Sequence, residues 1–184
     1  TRFRNVTGVQ TCALPIWSRD LEQNNDYAKR YLSLLDQNVI GPAGIQLQAR
    51  LRSQDGVSYK RKTNNLIETA WWRWGQRGSC DVTGQLCWLD VQRLVLRTMA
   101  RDGECLVRLV RDYGNAYQFA VQVLEADHLD IEFNTDRLPN GNTVRMGVER
   151  DGWGRPMAYY LLRTHPGDTQ SSTQAQQQIG RAHV

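Results

Sequence analysis

Lysine is scarce in this chain of 184 residues, and no Gly-x4-Gly-Lys-Ser/Thr loop occurs anywhere in it. A backbone cradle for nucleotide phosphates is therefore not encoded, which excludes a P-loop motor ATPase for this stretch. Histidine is rarer still, with 3 in the whole chain. Neither His-Glu-x-x-His nor Gly-x-Ser-x-Gly is present, so metalloprotease and serine-hydrolase readings lose their chemistry. No segment approaches the ~20 consecutive apolar residues of a membrane-spanning helix. Of the 4 cysteines, Cys80, Cys87 and Cys105 lie in the body of the chain. An odd set without paired spacing fits reduced thiols rather than a disulfide framework.

The two ends share an unexpected relation. With the codons ATC-GGA-AGA-GCA-CAC-GTC for Ile179 to Val184, the reverse complement shifted by one base spells Thr11-Cys12-Ala13-Leu14-Pro15-Ile16. Both strings look like a translated sequencing adapter. Residues 1–17 and 179–184 are therefore expected to be scars outside the fold, leaving 18–168 as the folded body and 169–178 as a Ser/Thr/Gln tail with little to bury. The stretch from Arg2 to Trp17 also fails as a signal peptide, because its apolar run is interrupted and too short. Arg2, Arg4 and Arg181 fall in the scars, so of 23 basic residues 20 remain against 19 acids, a core charge of +1. A near-neutral core gives no argument for a nucleic-acid surface, which needs concentrated positive charge.

Periodicity then sorts the body into elements. Ser18 opens a helix with Leu21, Ala28, Tyr31, Leu32, Leu35 and Val39 on one face, and Gly41-Pro42 end it. Ile45 to Leu51 alternates apolar and polar at the period of a half-buried strand, closed by a turn at Gln54-Asp55-Gly56. A second helix begins near Thr63 or Asn64, carries Leu66, Ile67, Ala70, Trp71 and Trp74 as its apolar stripe, and stops at Gly75. A third spans Trp88 to Asp102, with Val91, Leu94, Val95 and Met99 inward and Gly103 as its left-handed stop.

The pattern now switches to strands: Cys105 to Val110 pairs with Tyr117 to Leu124 around Tyr113-Gly114-Asn115. Ile131 to Phe133 forms a short strand and Pro139-Asn140-Gly141 a turn. A second hairpin joins the alternating run Val144, Met146, Val148 to Met157–Leu162 through Asp151-Gly152-Trp153-Gly154. Three amino-terminal helices followed by antiparallel β-hairpins define an α+β fold.

Few constellations invite chemistry. Glu125, Asp127, Asp130 and Glu132, with His128, are the densest acidic group. As Mg²⁺ ligands they would make a metal-dependent nuclease, which is the enzyme reading these residues allow. They equally suit a solvated strand exit, and no catalytic Lys follows them. Cys80 and Cys87 with His128 do not have zinc-knuckle spacing. Trp71, Trp72 and Trp74 with Arg73 and Arg77 suggest a base-stacking platform. Helical spacing favours instead two core anchors, Trp71 and Trp74, with Trp72 on the opposite face meeting a neighbouring subunit. No catalytic, cofactor or metal residue emerges. Trp72, Arg73, Trp153 and Arg155 are the candidates for subunit contacts.

In order and spacing, the blocks of this sequence resemble the lambda-type family of tailed-phage portal proteins. The matching pieces are Ser18-Arg19-Asp20-Leu21, Asn38-Val39-Ile40-Gly41, Trp71 to Trp74, Cys80-Asp81, and Leu89 to Leu96 followed by Arg101-Asp102-Gly103-Glu104. Glu125-Ala126-Asp127-His128-Leu129, Gly147-Val148-Glu149, Gly154-Arg155-Pro156 and His165-Pro166 continue the match. The resemblance implies a structural subunit without enzymatic activity or cofactor, part of the wing-like amino-terminal half. It implies a ring of twelve copies at one capsid vertex of the virion, assembled in the host cytoplasm. Double-stranded DNA is packed and ejected through such a ring, whose partners are terminase, the major capsid or scaffold proteins and the head-tail connector. No membrane is involved. The family's DNA-facing loop falls on no residue of this chain.

Overall fold

The computed structural model describes residues 17–54, 58–163 and 177–181. It is α+β: helices come first and two small antiparallel sheets follow. Residues Ser18–Val123 make one compact unit, and the chain from Leu124 onward makes a second. Among the described residues no helix is long and apolar enough to cross a membrane.

The first expected helix is two. Helix α1 covers residues 17–24, the chain breaks at Asn25, and α2 runs Asp26–Leu35. Asn25 causes the break: its backbone is extended and its side-chain oxygen accepts the N–H groups of Tyr27 and Ala28 at 2.9 and 3.1 Å, a cap that satisfies donors the helix start leaves orphaned. A π-helical turn, Asp36–Ile40, follows α2 and shifts the register. Leu32 and Ile40 are consequently the buried residues, while Leu21, Tyr31 and Val39 of the expected face are exposed.

Helix α3 spans Arg61–Trp74 and α4 spans Trp88–Asp102, ending on left-handed Gly103 as the sequence indicates. At the start of α4, Asp90 accepts both the backbone N–H and the thiol of Cys87 at 3.1 Å. Those two bonds, the thiol first, hold the Asp90 carboxyl below the usual range. At the other end, Asp102 receives Arg19 at 3.2 Å and Arg101 at 2.8 Å, while Arg101 also reaches Glu22 at 3.1 Å. This clasp ties α1 to the last turn of α4. Burial alone would raise the Asp102 carboxyl, but the two guanidiniums outweigh it and leave it below the ordinary carboxylate value.

Strands β1 (Leu106–Arg111) and β2 (Phe119–Leu124) form the first sheet, within two residues of the sequence expectation. The expected strand at Ile131 to Phe133 is absent. A 3₁₀ turn, Ala126–His128, precedes it, and single antiparallel bridges link Leu129 to Leu161 and Thr135 to Val144. The run through Val144, Met146 and Val148 is not one strand either. It folds back at Met146-Gly147, both with positive φ, into β3 (Thr143–Arg145) and β4 (Val148–Arg150). Alternation hid this turn, because both arms of a tight hairpin keep the same period.

Strand β5 (Pro156–Leu162) pairs with β4 after the Asp151–Gly154 turn, and β6 (Gln177–Arg181) pairs with β5. Strand β6 crosses the boundary between the Ser/Thr/Gln tail and the adapter-like end, segments otherwise outside the described residues. The Asp55-Gly56 turn and His165 also lie outside them.

Inside the second sheet, buried Glu149 accepts Asn140 and Asn142 at 2.8 and 2.6 Å and the Tyr160 hydroxyl at 3.1 Å. Burial, then this carboxylate, pushes the Tyr160 phenol up. Gly147 fits where no side chain can: a Cβ there would stand 2.5 Å from the Asp130 carbonyl oxygen.

Two outcomes test this packing. Gly147→Ala is expected to cost at least ~2 kcal/mol in denaturant unfolding, from positive φ plus the clash, while Gly152→Ala stays within about 0.5 kcal/mol. Asp102, with its folded carboxyl depressed, stabilises the fold above its unfolded value near pH ~4, and that contribution is lost as pH falls further. Thermal melts of Asp102→Asn are therefore expected to lie well below the parent at neutral pH and to converge on it in acid.

Candidate functional site

The site expected from the sequence is a surface, and it is built on α3. This helix turns one narrow stripe inward at spacings of 4, 3 and 3 residues, with Asn64 and Trp74 buried and Glu68 and Trp71 half-buried between them. Trp71 and Trp74 meet at 4.8 Å between ring centroids, tilted by 40°, and share Trp88 of α4 at 5.4 and 5.2 Å. Trp74 also stacks on Phe119 of β2 at 5.5 Å, and its indole N–H donates to the Phe119 carbonyl at 2.9 Å. Around that cluster lie Cys80, Val91 and Val121. The loop between α3 and α4 closes over it by bridging Asp81 to Val121 in parallel. Asn115 fastens the far side, donating to the Ser79 and Phe119 carbonyls at 2.7 and 2.8 Å.

Leu66, Ile67 and Ala70 are not part of the buried stripe, contrary to the sequence expectation. They face outward, Leu66 at 71% exposure. The same holds in α4, where Val91, Val95 and Thr98 turn inward while Leu94 and Met99 are exposed. Each helix has more apolar circumference than the described residues cover. Large uncovered apolar area is a mark of contact with a partner.

The four candidate contact residues fall on two surfaces. Trp72 is 62% exposed and, with Gln46, Leu47, Asn65, Glu68 and Thr69, lines an open groove of about 430 Å³ against Trp71. Arg73 beside it is exposed. Trp153 tops the β4–β5 turn at 86% exposure. Arg155 is held there: Asp151 pairs with its guanidinium at 2.8 Å and accepts its backbone N–H at 2.9 Å. The Arg155 backbone bond is the main cause that keeps the Asp151 carboxyl low.

The acidic residues do not assemble. Asp127 and His128 sit in the 3₁₀ turn, where the His128 ring Nδ1 meets the Leu162 carbonyl at 3.1 Å. Asp130 donates its backbone N–H to Tyr160, and Glu125 and Glu132 are exposed. Among the described residues no three His, Cys, Asp or Glu side chains are placed to hold a metal ion. The Cys80 thiol is fully buried, points at the Leu86 carbonyl at 3.5 Å, and is pushed up by burial to about 11. A thiol held protonated in this way is a poor metal ligand.

Sequence reasoning missed Asn64, Glu68 and Gln92. These side chains bond the backbone of the segment from Ile45 to Leu51, where the strand expected from alternation is absent: the chain bends at Ile45 and has no regular structure from 46 to 51. The available signal was polar residues on the inner stripes of two amphipathic helices.

Set against known proteins, the chain matches the family described as phage portal protein, lambda family, over residues 14–184. It is 46% identical over 151 residues to a probable portal protein of Halomonas phage phiHAP-1, an alignment that covers 82% of this chain and 29% of that protein.

Substitution separates core from surface tryptophan. Trp74→Ala is expected to cost ~3–5 kcal/mol in equilibrium unfolding, and Trp72→Ala no more than about 0.5 kcal/mol.

Proposed function

The chain belongs to the lambda family of phage portal proteins, and from that premise we propose that it is a structural part of a portal ring at the capsid vertex. The observation that carries this reading is identity of 46% running through 82% of the chain. Because the chain spans 29% of the length of that relative, most of a portal subunit lies outside it. In this reading twelve copies surround the channel through which double-stranded DNA enters and leaves the virion. Terminase docks on the ring during filling and the head-tail connector afterwards, and capsid or scaffold proteins hold it in the shell. The ring assembles in the host cytoplasm and performs no catalysis.

The uncovered apolar residues support a packing role. Leu66, Ile67, Leu94 and Met99 leave both long helices unfinished. A cyclic ring needs two different complementary faces on each subunit. We assign Trp72 with Arg73 to one such contact and Trp153 with Arg155 to another. Exposed tryptophan beside arginine is the composition that concentrates binding energy at interfaces.

Negative-stain microscopy of the full-length protein that carries this segment is expected to show rings, and Trp72→Ala or Trp153→Ala to shift them toward smaller species without lowering the melting temperature. A monodisperse monomer, or Mg²⁺-dependent DNA cleavage abolished by Asp127→Ala, would overturn the reading.

A further inference from the structure

A net charge near zero conceals one concentrated patch. Between residues 50 and 62 stand Arg50, Arg52, Lys60, Arg61 and Lys62 against a single acid, Asp55. Without that stretch, the 20 basic and 19 acidic residues of the core fall to 15 and 18, so the rest of the core is net negative.

The fold gathers the two basic runs. Arg52 bridges Tyr59 in antiparallel register, Ser53 donates its N–H to the Ser58 carbonyl at 2.8 Å, and Lys60 donates its N–H to the Leu51 carbonyl at 2.9 Å. Asn64, in the first turn of α3, accepts the Leu51 N–H at 3.0 Å. Leu51 lies between Arg50 and Arg52, so these bonds fasten both arginines beside the helix start that carries Arg61 and Lys62. All five basic residues are exposed. Arg50 donates to Gln48 at 2.9 Å, and the Arg52 guanidinium lies over the Tyr59 ring at 5.6 Å. Among the described residues, no acid pairs with Lys60, Arg61 or Lys62.

These charges stand where folding disfavours them. A helix start carries partial positive charge and favours Asp or Glu in its first turn. Helix α3 has no acid there and no side-chain cap, and it places cations at its cap and its first two positions. The N–H groups of Lys62 and Thr63 meet no acceptor among the described residues. Helix α4 shows the ordinary solution, with Asp90 in its first turn accepting the Cys87 N–H. Repulsion that no contact within the subunit offsets is the signature of a surface shaped for an anion outside it.

The chemistry selects the anion. Arg and Lys side chains, hydroxyls and the free N–H groups of a helix start are the groups that contact nucleic-acid phosphate, and Thr63 adds an exposed hydroxyl to the patch. Several cations spread over a hairpin and a helix start suit a polymer of regular charge, and duplex DNA carries one charge per ~1.7 Å of its axis. Single strands are held by stacking bases on free aromatic faces. The one ring of this patch, Tyr59, is occupied by Arg52.

We propose that Arg50, Arg52, Lys60, Arg61 and Lys62 form a binding face for the phosphate backbone of double-stranded DNA, indifferent to base sequence. The face stands on its own charge and geometry and does not depend on the portal reading.

Fluorescence anisotropy of the 184-residue chain with labelled duplexes of two unrelated sequences, over a series of salt concentrations, tests it. Both duplexes are expected to bind alike and to be released as salt rises. Lys60→Gln/Arg61→Gln/Lys62→Gln is expected to weaken binding at low salt by about tenfold or more and to flatten the slope of log affinity against log salt by about 2 to 3. Arg61→Gln alone is expected to flatten it by about one. Because the three cations oppose the helix dipole, the triple variant is expected to melt no lower than the parent. The control Arg97→Gln/Arg137→Gln/Arg150→Gln loses the same charge from other exposed positions and is expected to keep the parental slope. Equal weakening in both triple variants assigns the binding to net charge and overturns the proposal. So does a parent that binds polyglutamate but no duplex, which assigns the face to an acidic protein. A triple variant that melts below the parent makes the cations structural and overturns it as well. None of these outcomes bears on rings of the full-length protein, which test the portal reading.

Discussion

The indole of Trp74 fixes the amino-terminal unit. From α3 it packs at a tilt against Trp71 and against Trp88 of α4, stacks on Phe119 of β2, and donates its N–H to the Phe119 carbonyl. Aromatic burial is large per residue, and the hydrogen bond removes the penalty of burying the N–H. With that point set, the direction of α3 is set, and so are the residues on its remaining faces. Asn64 and Glu68 lie on the same inward stripe, two turns and one turn before Trp71 respectively. They are thereby aimed at the backbone of Ala49 and Leu51, which they hold.

A narrow stripe is also why so much apolar surface remains. Trp74, Cys80, Val91 and Val121 concentrate the core at one end of the helices. Leu66 and Ile67 of α3 and Leu94 and Met99 of α4 fall outside its reach. A chain spanning 29% of its relative's length is not bound to close its own core. The same sequence that leaves Leu66 uncovered satisfies its polar groups closely, with Asn25, Asn115 and Asp151 each accepting two backbone N–H groups. The local backbone is finished even where the apolar surface is not.

Local chemistry was the legible part of the sequence. Gly75, Gly103 and the Asp151–Gly154 turn stop their elements where glycine and aspartate predict. Helical periods were also right, but the face was not, because the apolar count on α3 and α4 exceeds what this chain buries. Asn25 was readable as a cap in principle and was masked by the continuous apolar spacing on either side. Met146 with positive φ carried no composition signal, leaving Gly147 as the only cue to the turn. Of the candidate contacts, the exposure of Trp72 followed from spacing and that of Trp153 from its turn. The grip of Asp151 on Arg155 depends on turn geometry that no pattern displays.

The segment Ile45 to Leu51 shows most clearly how pattern and structure part. Its alternation predicts a half-buried strand, and no strand forms there: the chain bends at Ile45 and is irregular from 46 to 51. What alternation does not report is the source of the ladder, since the period of two comes from side-chain direction alone. Here Gln92, Glu68 and Asn64 supply three contacts that a strand would supply, at residues 45, 49 and 51. Where a strand would be held by a continuous backbone ladder, this segment is held residue by residue from two helices, so its path follows the placement of those three polar side chains and not its own alternation.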